Sequence, residues 1–204
     1  MTLLTEQEAQ QVAEAISKVE AETDAELVTV LAKQADDYHY IPTLWAALIA
    51  LMSPGVVMFT PFWLDVTEVM LIQLVVFLVM AGLLRIPSIM SRIIPSGVKE
   101  WRAANLARRQ FLDNNLHHTV GETAVMLFVS ETEHYVEIIA DRGISQFVDD
   151  MEWQQIVDEF TAFVRQGNTL EGFLTAVDRC GELLIKYVPA TGEKNELPNH
   201  MILL

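Results

Sequence analysis

Two uncharged apolar runs, separated by a short acidic turn, constrain this chain more than any other feature. Residues 41–64 contain no Asp, Glu, Lys or Arg. As one helix they would run about 36 Å, enough to cross a hydrocarbon core of about 30 Å. Asp65 and Glu68 follow, and residues 69–84 form a second uncharged run, about 24 Å long as a helix. Ile86, Ile89 and Met90 extend its apolar character, and Arg85 can snorkel to an interface. The simplest reading is a membrane hairpin of two helices joined by the acidic turn. Two buried helices of a soluble core are the alternative, which charge-free runs of this length disfavour. A first segment broken at Ser53, Pro54 and Gly55, re-entrant rather than spanning, is a third reading, because proline removes a backbone donor.

Charge divides the chain at the same places. Residues 1–40 carry nine acidic and two basic side chains, residues 41–109 three and six, and residues 110–204 sixteen and five. The net charge of −15 argues against a nucleic-acid partner, since a polyanion is repelled before any contact forms. The turn between the runs has no Lys or Arg, six basic residues follow the second run, and Lys33 precedes the first. Both termini are therefore expected in the cytoplasm. The acidic, amphipathic start predicts no signal peptide. Arg85, Arg92, Lys99, Arg102, Arg108 and Arg109 are expected to meet an anionic inner leaflet, each worth about 1 kcal/mol near the surface. Setting topology alone needs no lipid specificity. Trp101 adds a candidate interfacial anchor.

The flanking pieces look water-soluble and incomplete by themselves. Thr5 and Glu8 have capping-box spacing, and Ala9, Val12, Ala13, Ile16 and Val19 recur at helical period. Residues 25–31 are apolar and β-branched, a strand candidate. One helix and one strand need partners, and these lie beyond the apolar runs. Residues 97–115 read as a helix, 123–129 as a strand buried on both faces, and 135–140 as its hairpin mate. Residues 153–165 and 170–187 read as two amphipathic helices, with Gly167-Asn168 as the turn between them. The expected fold is α/β, a small sheet sandwiched by helices and interrupted by a two-helix transmembrane hairpin. Its pieces are residues 1–40, the hairpin 41–94, the remainder 95–190 and a C-terminal tail 191–204.

These segments resemble the TPM domain. The resemblance rests on the acidic helix leading into Thr23-Asp24-Ala25-Glu26-Leu27-Val28, on the glycine-led strand Gly121-Glu122-Thr123-Ala124-Val125-Met126, on Val136-Glu137-Ile138-Ile139-Ala140-Asp141-Arg142-Gly143-Ile144, and on the turn Gly167-Asn168-Thr169-Leu170-Glu171-Gly172-Phe173. It covers about two-thirds of the chain and is similar to a bacterial membrane subgroup often found beside LemA-type proteins, including at Asn195-Glu196-Leu197-Pro198-Asn199-His200. The resemblance implies an α/β/α sandwich at a bacterial inner membrane. It also implies phosphatase activity in some members and divalent-ion binding in others. Many members carry a Lys-Asp-Asn-type stretch before the strand glycine. Here residues 115–121 read Asn-Leu-His-His-Thr-Val-Gly, without the acid.

Candidate chemistry is sparse. Asp141, Asp149 and Asp150 flank a loop after a strand and offer oxygen ligands for Ca²⁺ or Mg²⁺; the alternative is a solvated loop with Asp149 or Asp150 capping the next helix. His117 and His118 are adjacent and point apart, though His134 and Glu122 could join them at a strand end. No phosphate loop, Gly-x-Ser-x-Gly elbow or His-Glu-x-x-His occurs, and Cys180 sits at a core spacing, so catalytic residues stay unassigned. Ala46, Ala47 and Ala50 permit close approach of another helix, either in a homo-oligomer or LemA-like complex or within the hairpin itself. The expected function is a membrane adaptor or assembly module, with a metal-assisted phosphatase as the alternative. A transport pathway would need several copies, because neither run contains an ionisable residue.

Overall fold

A computed structural model of the chain describes residues 4–59, 61, 63–119, 121–191 and 201–204. It divides into two compact units, Met1–Ala35 with Glu100–Leu204, and Asp36–Lys99. The family-like ending at residues 195–200 lies outside the described residues.

The first unit is built on a four-stranded sheet. Strand β1 (Glu26–Ala32) runs parallel to β2 (Ala124–Ser130), with Glu26 opposite Ala124 and Ala32 opposite Ser130. β2 pairs antiparallel with β3 (Tyr135–Ala140), and β4 (Met201–Leu203) runs parallel to β1, giving the order β3-β2-β1-β4. The expected pairing of the early strand with the later glycine-led strand is therefore present. A long insertion between them is tolerated because loop-closure entropy grows only logarithmically with length. The sequence assigns residues 191–204 to a tail; Met201–Leu203 instead form an edge strand.

Helices cover both faces. Helix α1 (Glu6–Glu20) starts at the expected capping box: the Thr5 hydroxyl accepts the Glu8 N–H at 3.3 Å and the Glu8 carboxylate accepts the Thr5 N–H at 2.7 Å. Its stripe Val12, Ile16 and Val19 is buried with residues of α7 (Asp150–Arg165) and α8 (Thr169–Tyr187) against Leu27, Leu31, Val125, Leu127 and Val129. Phe160 of α7 meets Phe173 of α8 edge-on, ring centres 4.8 Å apart. On the other face Ala103, Ala107 and Phe111 of α5 (Ser96–Asp113) pack against Val28, Val30, Met126 and Phe128. Alternate residues of each strand thus feed two separate cores, which is why β1 and β2 read as continuous apolar runs.

In the second unit α2 (Tyr40–Val57) packs along α3 (Val66–Leu83). Each has 18 residues, about 27 Å of helix. Pro54 does not break α2. The Ser53 hydroxyl donates to the Ala50 carbonyl at 2.7 Å, the acceptor that Pro54 has no N–H to serve, and the helix runs on to Val57. The acidic turn is itself a capping box: Asp65 accepts the Val66 N–H at 2.9 Å, and Glu68 accepts the Asp65 N–H at 2.9 Å. After α3, a short helix α4 (Pro87–Ile93) leads to a small core of Tyr38, Ile41 and Ile94.

Candidate functional site

Three places in the fold carry the residues that the sequence singles out. The first is the corner where β3 meets α6 (Arg142–Ser145). Gly121 and Glu122 are consecutive residues with positive φ, +87° and +56°. Their carbonyls press on Gly143, where an added Cβ would lie 2.2 Å from the Gly121 oxygen and 2.6 Å from that of Glu122. Only glycine fits there. The Gly143 N–H donates to the Glu122 carbonyl at 2.8 Å, and the Asp141 N–H to the Ala124 carbonyl at 2.9 Å. Asp141 caps α6, its Oδ1 accepting the Arg142 N–H at 2.8 Å, while its Oδ2 is buried with no hydrogen-bond partner.

Asp149 and Asp150 do not join Asp141. Asp149 is the N-cap of α7, accepting the Met151 N–H at 3.3 Å in a capping box with Glu152, and Asp150 is the exposed first residue of that helix. Among the described residues no three His, Cys, Asp or Glu side chains gather as a metal-holding group. The acids are drawn to helix starts, where unpaired N–H groups and the positive end of the dipole satisfy them. The histidines are likewise divided. His117 and His118 do not point apart as expected: on a 3-10 turn before β2 their ring centres are 3.9 Å apart, whereas His134 follows the far end of β2. Cys180 is fully buried, and burial pushes its thiol up to about 12, as expected of a packing residue.

The second place is that far end of β2, where His134 is the lining residue that the sequence singles out as a candidate. A cavity of about 510 Å³ opens between the β2–β3 turn and the C-terminal half of α7. Val129, Val136, Phe160 and Val164 form its apolar wall, with His134 and Arg165 at the rim. Nearby, Glu133 is buried but satisfied: its carboxylate takes a very short hydrogen bond from Ser130 and one of 3.1 Å from the Ala35 N–H. Tyr135 donates to Glu137 at 3.0 Å, and burial first, then that carboxylate, push its hydroxyl up to about 12.

The third place is the apolar hairpin; of the basic residues that follow it, Arg85, Arg92 and Lys99 belong to its unit and Arg102, Arg108 and Arg109 to the first unit. α3 has no buried residue, and Leu74, at its middle, is 54% exposed. Ala46 and Ala50 are buried, so these two offer no free face to another chain, whereas Ala47 is exposed. Arg85 and Arg92 are exposed; Lys99 donates to the Ser91 carbonyl at 2.9 Å. Arg102 lies over the Trp101 ring at 4.9 Å, and Arg109 pairs with Asp113 at 3.5 Å beside the exposed Arg108.

Comparison with known proteins agrees with this architecture. The family model of the TPM domain matches residues 93–183. The NMR structure of the BA42 protein from the psychrophilic bacterium Bizionia argentinensis is similar with a TM-score of 0.58, covering 98% of this chain and 95% of that chain at 19% identity. At that identity the likeness is one of fold. No curated protein matches the chain. The family match begins just before α5 and ends inside α8, and β1 pairs with its central strand, so α1 and β1 complete the same sheet and core. The chain carries a TPM domain.

Proposed function

We propose that the α2–α3 hairpin anchors this chain in a bacterial inner membrane, and that the TPM domain works at the cytoplasmic surface as an assembly module. The observation that carries the anchor is the exposure of the hairpin. A core helix of a soluble protein is mostly buried, whereas only 22% of the α2 span is buried and none of α3. Exposed apolar surface on this scale needs lipid or protein to cover it. Two 18-residue helices match the hydrocarbon thickness with little tilt. The acidic turn and the following basic residues orient both termini to the cytoplasm, where Arg85, Arg92, Lys99, Arg102, Arg108 and Arg109 meet anionic lipid headgroups. The assembly role draws on the subgroup resemblance, which implies a LemA-like partner or a homo-oligomer. Reporter fusions at Leu204 and at the acidic Asp65–Glu68 turn test the topology: a cytoplasmic reporter active only at Leu204 is expected, and an external C-terminus overturns the assignment. Purification in mild detergent with mass spectrometry of co-isolated proteins tests the module; a monodisperse monomer without a partner overturns it.

A phosphatase reading is favoured by one feature, the unpartnered Oδ2 of Asp141 beside the constricted Gly121–Glu122 turn. Asp141→Asn keeps the cap acceptor and removes the charge. Turnover of p-nitrophenyl phosphate that disappears in this variant supports the reading; no turnover with Mg²⁺, Ca²⁺ or Mn²⁺ removes it.

A further inference from the structure

We propose that the outer edge of β3 is a docking strand for an extended peptide ending in a free carboxylate, which adds antiparallel as a fifth strand. This names the partner chemistry of the assembly role and rests on that role.

Among the described residues β3 is an edge strand of six residues with β2 on one side. The hydrogen bond from the Asp141 N–H to the Ala124 carbonyl fixes the phase of the ladder. Antiparallel pairs alternate between bonded and non-bonded, so Ile139, Glu137 and Tyr135 face β2, and Val136, Ile138 and Ala140 turn their N–H and C=O groups outward. The edge has none of the usual guards: no Lys, no Pro and no bulge, and its single charge, Glu137, is bonded to Tyr135. The cavity opens at the Val136 end of this edge, against α7. Edge strand, helix and apolar pocket together have the layout of strand-addition peptide sites, where main-chain bonds give affinity and a pocket gives specificity.

Charge at the rim chooses the occupant and its direction. His134 and Arg165 are exposed, and neither has a side-chain hydrogen bond or ion pair among the described residues, whereas Glu131, the one acid in the same lining, has an interaction of its own. They lie at the N-terminal end of β3, so a peptide running antiparallel brings its C-terminal carboxylate to them and its last apolar side chain over Val136, Phe160 and Val164. A second copy fits less well, because edge-to-edge pairing would juxtapose two chains of charge −15.

The test uses the full chain in lipid nanodiscs and an array of octapeptides with each aliphatic and aromatic residue in last place, made as free acids and as amides. A subset of the acids should bind at least about tenfold tighter than the matching amides, the ratio expected of a charge-assisted hydrogen bond. Arg165→Gln should erase that ratio. Ile138→Pro removes an outward donor without touching the β2 ladder, and should abolish binding while circular dichroism stays unchanged. On peptide addition, amide exchange should slow at Val136, Ile138 and Ala140 and not at the residues already facing β2. Equal binding of acids and amides, or no binding above the Ile138→Pro background, overturns the proposal. So does disulfide crosslinking of Glu137→Cys between two copies, which would show the edge covered by self-pairing. A partner co-isolated equally by wild type and Ile138→Pro leaves the assembly role standing and removes this groove from it.

Discussion

Gly181 of α8 lies against Val19 of α1: a Cβ at position 181 would stand 2.7 and 2.9 Å from the two Val19 methyls. Both contacts are shorter than real Cβ packing, and Val19 is 8% exposed in the core that joins these helices. Gly181→Ala gains helix propensity but overpacks the crossing, and should lower stability by about 1–2 kcal/mol net. Val19→Ala alone should also destabilise. The double variant should lose less than the sum, because each change relieves the other. Thermal unfolding of the four proteins in one detergent measures the coupling; additive losses would mean that the helices shift freely to make room.

The short strand β4 closes the sheet on the side away from β3. The Leu204 N–H donates to the Leu31 carbonyl at 3.0 Å, and the Lys33 N–H to the Leu204 carbonyl at 2.9 Å. Deleting residues 201–204 bares the outward groups of β1 and uncovers part of a strand that is otherwise buried throughout. The deletion should speed amide exchange in β1 by about tenfold or more and promote aggregation, with little effect on β3 exchange. Unchanged β1 protection would show that β4 contributes nothing to the edge.

Features that act over a few neighbouring residues leave a trace in the sequence, and those made by tertiary contact do not. The Thr5–Glu8 and Asp65–Glu68 boxes act over three residues, so spacing alone reveals them. The stripes of α1, α7 and α8 repeat at helical period over about three turns or more, and the doubly buried β1 and β2 stand out as apolar runs. β4 has only three residues and no period to detect. Asp141 and Asp149 are both acidic residues near a strand end and read as possible ligands; the start of a helix claims each one separately. The cavity joins Val136, Phe160 and Arg165 only because β3 returns beneath α7, a tertiary event with no local trace in the sequence. Pro54 leaves a broken first segment open beside the spanning one, and the Ser53 hydroxyl that spares the helix is visible only once the Ala50 carbonyl is in place.

Cys180 supplies a pH test of core packing. Its thiol is pushed from 9.0 up to about 12 by burial. The folded state therefore keeps the proton longer than the unfolded state. The stability this contributes is fully present below pH 9.0 and is lost as pH rises toward about 12. Between pH 9 and 11 the stability of wild type should fall more steeply than that of Cys180→Ala, which has no thiol to ionise. Below pH 8 Cys180→Ala should be modestly less stable, through the small cavity it leaves. The native thiol should react with a disulfide reagent only on unfolding; rapid labelling at pH 8 would contradict its burial.

The anchor is tested most sharply at Leu74, halfway along α3 and more than half exposed. If this surface met water, Leu74→Lys would replace an exposed apolar side chain by a charged one at a cost within about 0.5 kcal/mol, and solubility would improve. If it meets hydrocarbon, a lysine at the centre of the span costs about 2.5–3.5 kcal/mol of insertion free energy. Leu74→Lys should then reduce the fraction of chain that resists carbonate extraction from membranes. Arg85→Leu, at the end of the same helix, should leave insertion intact and weaken only the bias in orientation. The two variants separate the roles of the segment: depth is set by the apolar middle of α3, and direction by the basic residues that follow it. Full carbonate resistance of Leu74→Lys would place α3 against protein rather than lipid.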